Sequence, residues 1–231
     1  RFHLFDLARE LYKRGMLKRI FTGYPRWKLR DEDIPSQFIS TFPWIQTSLM
    51  ALMRWGIFRE GIFMNELHWQ SQQALDRFVA NRIPESDILF ALSGSGLRCG
   101  QQAKQQGQKY FCDRGSSHIR YQNDILVDEY NRWGLHFPGI DKRIIEKEEA
   151  EYELADRITV PSAFAYQSFG EEGVSKHKLR KIPYGVNLSR FAKTDNPDPT
   201  QFNILFVGQV SFQKGVPYLL KAFNLLKHPN K

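Results

Sequence analysis

The feature that most constrains the fold is a six-residue stretch, Asp87-Ile88-Leu89-Phe90-Ala91-Leu92, followed at once by Ser93-Gly94-Ser95-Gly96. Consecutive apolar residues without polar alternation describe a strand covered on both faces, as in a parallel sheet, and the Gly-Ser segment reads as its exit loop. Similar short runs recur at Lys109–Cys112, Arg157–Val160, Lys181–Pro183 and Phe202–Val207. Between them lie stretches with helical spacing over 66–81, 97–106, 142–155 and 217–226. Ser162 stands where a helix starting just after Pro161 needs a cap. Strands alternating with helices predict an α/β fold. Within it, 87–92, 109–112 and 157–160 are expected to be neighbours in one parallel sheet.

The start of the chain reads as a helix, with Leu4, Leu7, Ala8, Leu11 and Tyr12 at helical spacing and Gly15 as its stop. A short strand is expected at Ile20–Thr22, and 24–48 reads as irregular. The absence of an initiating Met and the abrupt helical opening lead to the expectation that something upstream of Arg1 was removed. The polar, Pro-rich segment Asp195-Asn196-Pro197-Asp198-Pro199 reads as a linker. The expected organisation is therefore a first domain over 1–194, a linker over 195–200, and the opening of a second domain over 201–231.

Charge is unevenly distributed. Residues 1–30 hold nine Lys or Arg against Asp6 and Glu10, so this stretch accounts for most of the net charge of +8. Phe21, Tyr24 and Trp27 are interleaved with it. Such a surface suits an anionic membrane, a nucleic acid or a phosphorylated substrate; a solvated helix face is the plain alternative. No apolar run is long enough to span a bilayer. The stretch Trp44–Phe63 is apolar but broken by Arg54, Gly56 and Arg59, and is read as a core helix, with a helix lying on a membrane interface as the alternative. Cys99 and Cys112 show no metal-ligand spacing and are read as buried thiols in a reducing compartment. Asp31-Glu32-Asp33 has an Asp-x-Asp form, yet follows no strand and reads as a polar turn.

Two segments carry chemistry. Val207-Gly208-Gln209 ends a predicted strand, and Lys214-Gly215 stands just before a predicted helix. That order offers backbone donors, a helix N-terminus and an ammonium to a diphosphate. Pro183-Tyr184-Gly185-Val186-Asn187 ends another strand, and ligands of open parallel sheets bind outside carboxyl ends. A cleft between the two domains is expected to bring these segments together.

The ordered set Ala155-Asp156-Arg157-Ile158-Thr159-Val160-Pro161-Ser162, Ile182-Pro183-Tyr184-Gly185-Val186-Asn187 to Phe191, Phe206-Val207-Gly208 to Lys214-Gly215, and Leu219 to Phe223 resembles the retaining family 4 glycosyltransferases of the GT-B fold. The likeness is specific over 155–223 and looser over 66–154. It implies two Rossmann-like domains, of which this chain would hold the first, without its first strand, and the first β-α unit of the second. It also implies a nucleoside-diphosphate sugar as donor, a carbohydrate or lipid-linked acceptor, retention of configuration, no cofactor and no essential metal. Lys214, Gln209 and Gly208 would meet the donor diphosphate; many relatives have Arg where Gln209 stands, so Lys214 would carry more of the phosphate charge. His118, in a Ser-Ser-His loop after a strand, would lie near the transferred sugar; a capping or solvated His is the plain reading. Gly94, Gly185 and Asn187 would line the cleft with backbone.

On this reading the enzyme is a hexosyltransferase in the cytoplasm, in peripheral contact with membrane through 1–30 and without nucleic acid. The segment by itself is expected to be inactive, since the glutamate pair that holds sugar and ribose in the family lies outside it. The competing readings are a non-catalytic basic module for anionic membrane or nucleic acid, and a sugar-phosphate synthase or phosphorylase on the same fold.

Overall fold

A computed structural model describes residues 3–228 other than 46, 48–61, 187, 189–190, 195, 197 and 199. The elements, in chain order, are α1 (Leu4–Lys13), β1 (Ile20–Thr22), β2 (Ile39–Thr41), α2 (Ile62–Ala80), β3 (Ile88–Leu92), α3 (Leu97–Gln105), β4 (Lys109–Asp113), α4 (Ile119–Arg132), α5 (Lys142–Leu154), β5 (Arg157–Val160), α6 (Ala163–Glu171), β6 (Leu179–Lys181) and α7 (Val216–Leu225). The chain divides into two compact units. The first is 1–121 with 140–184, and the second is 122–139 with 185–231.

The first unit contains a four-stranded sheet in the order β3-β4-β5-β6, with every pair parallel. The three strands expected to be neighbours are neighbours, and the α/β class holds. β4 and β5 feed a core of Tyr110, Cys112, Ile158, Val160, Tyr152 and Phe169, all at most 2% exposed. α3 packs on β3 and β4, and α6 on β6. The Ser162 hydroxyl accepts from the Ala165 N–H at 3.1 Å, so α6 begins where its cap was expected. α5 is capped in the same way by Asp141, which accepts from the Arg143 N–H at 2.9 Å.

A separate two-stranded sheet pairs β1 in parallel with β2, Ile20 opposite Ile39 and Thr22 opposite Thr41. β2 lies in the stretch read as irregular; three residues between turns give too short a pattern to register as a strand. A smaller core of Phe5, Ala8, Leu29, Ile34 and Ile39 holds α1 against these strands. The expected run Trp44–Phe63 lies largely outside the described residues.

Two expectations are corrected. The last strand of the sheet is Leu179–Lys181 rather than 181–183, because pairing with β5 sets Leu179 opposite Ile158. Leu179 is buried there, whereas Ile182 is exposed, and Pro183 has no N–H for a ladder. The run Phe202–Val207 forms no strand, and Leu205 and Val207 are 87% and 85% exposed. A strand persists through ladder bonds to a neighbour, and among the described residues the second unit contains no strand to pair with. The second compact unit takes up the chain again at 185. Residues 130–137 join the second unit through aromatic contacts: Tyr130 to Phe212 at 4.5 Å and Trp133 to Tyr218 at 5.7 Å. Among the described residues no helix is long and apolar enough to cross a membrane.

Candidate functional site at the carboxyl ends of the strands

Because all four strands run in parallel, their carboxyl ends share one edge of the sheet. β4 ends at Asp113, opposite Leu92 of β3 and Thr159 of β5. Both oxygens of the Asp113 carboxylate are engaged: the Thr159 hydroxyl donates to Oδ1 and His3 Nε2 donates to Oδ2. His3 immediately precedes α1. Its ring stacks against Tyr184, with centroids 4.2 Å apart. The Tyr184 hydroxyl in turn lies over Gly115. A Cβ at 115 would sit 2.6 Å from that oxygen, so this close approach requires glycine.

A buried carboxylate that accepts from one imidazole nitrogen fixes the ring's orientation and tautomer. In the neutral ring this bond places the proton on Nε2 and leaves the Nδ1 lone pair for a hydroxyl. The side chain of His3 is 27% exposed, and that of Asp113 only 9%. The imidazole is therefore the member of the pair that a solute can reach.

Behind this pair runs a second polar chain. Arg114 Nη1 lies 2.7 Å from Glu148 Oε2, an oxygen that also accepts from the Tyr152 hydroxyl at 2.7 Å and from Ser93 Oγ. Glu151, fully buried one turn further along α5, accepts from Gly94 N–H at 2.6 Å and from Gly96 N–H at 2.9 Å. Burial pushes its carboxyl up to about 8, against the pull of those two N–H groups. The Gly94 amide expected to face a ligand is thus occupied by the protein's own Glu151 carboxyl, and Gly94 is buried. The exit loop of β3 is clamped rather than open, because α5 delivers the carboxyl groups of Glu148 and Glu151 onto it.

His118 is 3% exposed. Its ring packs between Tyr152 and Phe169, at 5.0 and 4.9 Å. Its N–H donates to Ser168 Oγ at 2.9 Å, and its Nδ1 accepts from the Arg120 N–H at 3.3 Å. Burial lowers its pKa to about 4, with Glu149 opposing, so the ring is neutral near pH 7. This is the geometry of an N-cap for α4, the plain reading of its Ser-Ser-His loop.

In the second unit, Lys214 closes a 3-10 turn, Phe212–Lys214, directly before α7. Gly215 caps that helix at φ +69°, a left-handed conformation that favours glycine. Lys214, Gly208 and Gln209 are exposed, as is Gly185. Lys214 thus stands directly before a helix, while the strand expected to end at Val207-Gly208 is not formed. Asn187 lies outside the described residues. Glu32 of the Asp-x-Asp segment is buried and paired with Arg9 at 2.5 Å. Cys99 and Cys112 are free, buried thiols whose pKa values burial raises.

Sequence reasoning missed His3. The available signal was Asp113, a carboxylate at the end of a predicted strand; nothing near His3 marks its partner.

No protein-family model matches the chain, and no curated protein matches it. Among solved structures it is similar to a putative UDP-N-acetylglucosamine 2-epimerase from Listeria monocytogenes, with 13% identity, 77% of this chain covered and a TM-score of 0.42. It is also similar to TcCGT1 in complex with UDP, with 12% identity, 95% coverage and a TM-score of 0.47. A third is a UDP-glucosyltransferase from Polygonum tinctorium capable of glucosylating indoxyl, with 17% identity, 79% coverage and a TM-score of 0.37. The chain spans 40%, 52% and 50% of the lengths of these structures, respectively.

Proposed function

We propose that the protein containing this chain transfers a sugar from a nucleoside-diphosphate sugar to a carbohydrate or lipid-linked hydroxyl. The observation that carries the reading is the His3–Asp113 pair at the carboxyl edge of a parallel sheet. It gives the first unit an oriented group for an acceptor hydroxyl, which a purely basic binding module has no use for. Lys214 with the N-terminus of α7 gives the second unit a seat for the diphosphate. The motif order over 155–223 supports a two-domain GT-B architecture for the whole protein.

In the reaction, the acceptor oxygen bonds to the anomeric carbon. The bond from that carbon to the diphosphate breaks, and its electron pair leaves on the phosphate, stabilised by Lys214 and the helix dipole. The motifs favour retention, in which the hydroxyl proton passes to the leaving phosphate while His3 holds the hydroxyl. The engaged Asp113 favours a second course, inversion, in which His3 Nδ1 takes the proton. Neither course calls on a cofactor or an essential metal. The anomeric configuration of the first product, read by NMR, separates the two.

The basic stretch fits an anionic membrane surface. Arg9, Lys13 and Arg14 are paired with Asp6, Glu10 and Glu32. Lys18, Arg19, Arg26 and Arg30 are exposed and have no ion pair among the described residues. Trp27 and Met16 are 62% and 67% exposed beside them. Cations with interfacial aromatics are the composition of a headgroup-facing surface. This suits an enzyme in the cytoplasm whose acceptor is lipid-linked.

The test is a donor screen on the full-length protein with uridine and guanosine diphosphate sugars. Product from at least one donor, lost in His3→Ala with diphosphate affinity kept, is the expected result. Tight, salt-sensitive binding of nucleic acid with no nucleotide affinity would favour the basic module instead.

A further inference from the structure

We infer that Tyr184 is a positioning residue for the His3 imidazole, and that Gly115 is there to seat the Tyr184 hydroxyl. The inference rests on the proposed role of His3.

Asp113 fixes one edge of the His3 ring through a single hydrogen bond. One bond leaves the plane of the ring free to rotate about it. The face of the ring is fixed by Tyr184, 4.2 Å away and tilted by 36°. Tyr184 needs its own restraint, since it is 47% exposed and follows β6 by three residues. That restraint is the backbone of the Asp113-Arg114-Gly115 turn. The phenolic oxygen rests where a Cβ at 115 would lie 2.6 Å away, while the ring carbon bearing it would be 3.9 Å from that Cβ. Gly115 does not have a left-handed φ, so alanine is allowed by its backbone and excluded only by the hydroxyl. One short turn after β4 therefore sets both restraints: Asp113 holds the edge of the imidazole, and Gly115 admits the tyrosine that holds its face. Tyr184 is also the last residue of the first unit, so the stack sits where the chain leaves that unit.

The clash is specific to one oxygen, and this gives a clean test. In the full-length protein, Gly115→Ala should displace Tyr184, whereas Tyr184→Phe alone should keep the stack. Gly115→Ala combined with Tyr184→Phe should restore it, because the remaining 3.9 Å approach is an ordinary contact. The first readout is the NMR shift of the His3 ring protons, which the ring current of residue 184 perturbs. They should move on Gly115→Ala and return in the double variant. The second is turnover, expected to fall roughly tenfold or more in Gly115→Ala with diphosphate affinity unchanged, and to recover in the double variant. A Gly115→Ala protein with unmoved His3 protons, or a double variant that fails to recover them, overturns the inference. If no variant and no wild-type protein transfers sugar, the functional reading fails, and the His3 shifts still decide the positioning claim.

Discussion

His3 and Asp113 are 110 positions apart and share a hydrogen bond at the carboxyl end of β4, with Thr159 holding the other carboxylate oxygen. Asp113→Asn offers an amide that can present nitrogen rather than oxygen to His3, and so releases the tautomer that leaves Nδ1 free. Turnover should fall on the order of a hundredfold, with nucleotide affinity unchanged. Steady-state kinetics alongside calorimetric titration of the diphosphate will show it; a loss confined to affinity would place Asp113 on the donor instead.

His118 has the environment of a cap. His118→Ala removes the acceptor for the Arg120 N–H and the contacts with Tyr152 and Phe169. Stability should drop by about 1–3 kcal/mol. Turnover per folded molecule should hold. Denaturant melts paired with kinetics test this, and a fall in turnover at full folding would return His118 to the sugar.

The pH dependence of stability should show two opposed terms. Glu151 is raised to about 8 in the folded state from an ordinary 4.5. Its contribution is fully present below about 4.5 and is lost as pH rises through 8. His118 is lowered to about 4 from 6.5, so its contribution is present above 6.5 and lost as pH falls through 4. Glu151→Gln should therefore flatten the decline in stability between neutrality and pH 8. Parallel stability curves for wild type and variant across that range would refute the assignment.

Lys214 stands alone among the residues proposed for the diphosphate in carrying a formal charge. In the full-length protein, Lys214→Ala should weaken binding of the nucleoside diphosphate about tenfold to a hundredfold, the worth of one charge-assisted contact. Lys214→Arg should recover part of it. Indifference to both changes would put the phosphate elsewhere.

Reversing charge at Lys18, Arg19, Arg26 and Arg30 to Glu should abolish co-sedimentation with vesicles containing anionic lipid and leave the weak signal on neutral vesicles as it was. Binding should also decline with added salt. Equal sedimentation of wild type and variant with anionic vesicles counts against the membrane face.

The α/β class, the adjacency of β3, β4 and β5, the Ser162 cap and the placing of Lys214-Gly215 before a helix were legible in the sequence. Each is written within a dozen residues: an unbroken apolar run, a serine after Pro161, a glycine before a periodic segment. Composition also located the basic stretch. Tertiary structure alone decided which groups meet. Phe202–Val207 has every local mark of a strand and is not one, because a ladder needs a partner. Gly94 has the local mark of an open loop, yet its N–H is taken by Glu151 from a helix 57 positions away. His3 gains its meaning only from Asp113 and Tyr184, brought to it by a parallel sheet that gathers the ends of distant strands on one edge. Local propensity is set by neighbours in the chain, whereas a site is set by neighbours in space, and no periodicity of one sequence records the second.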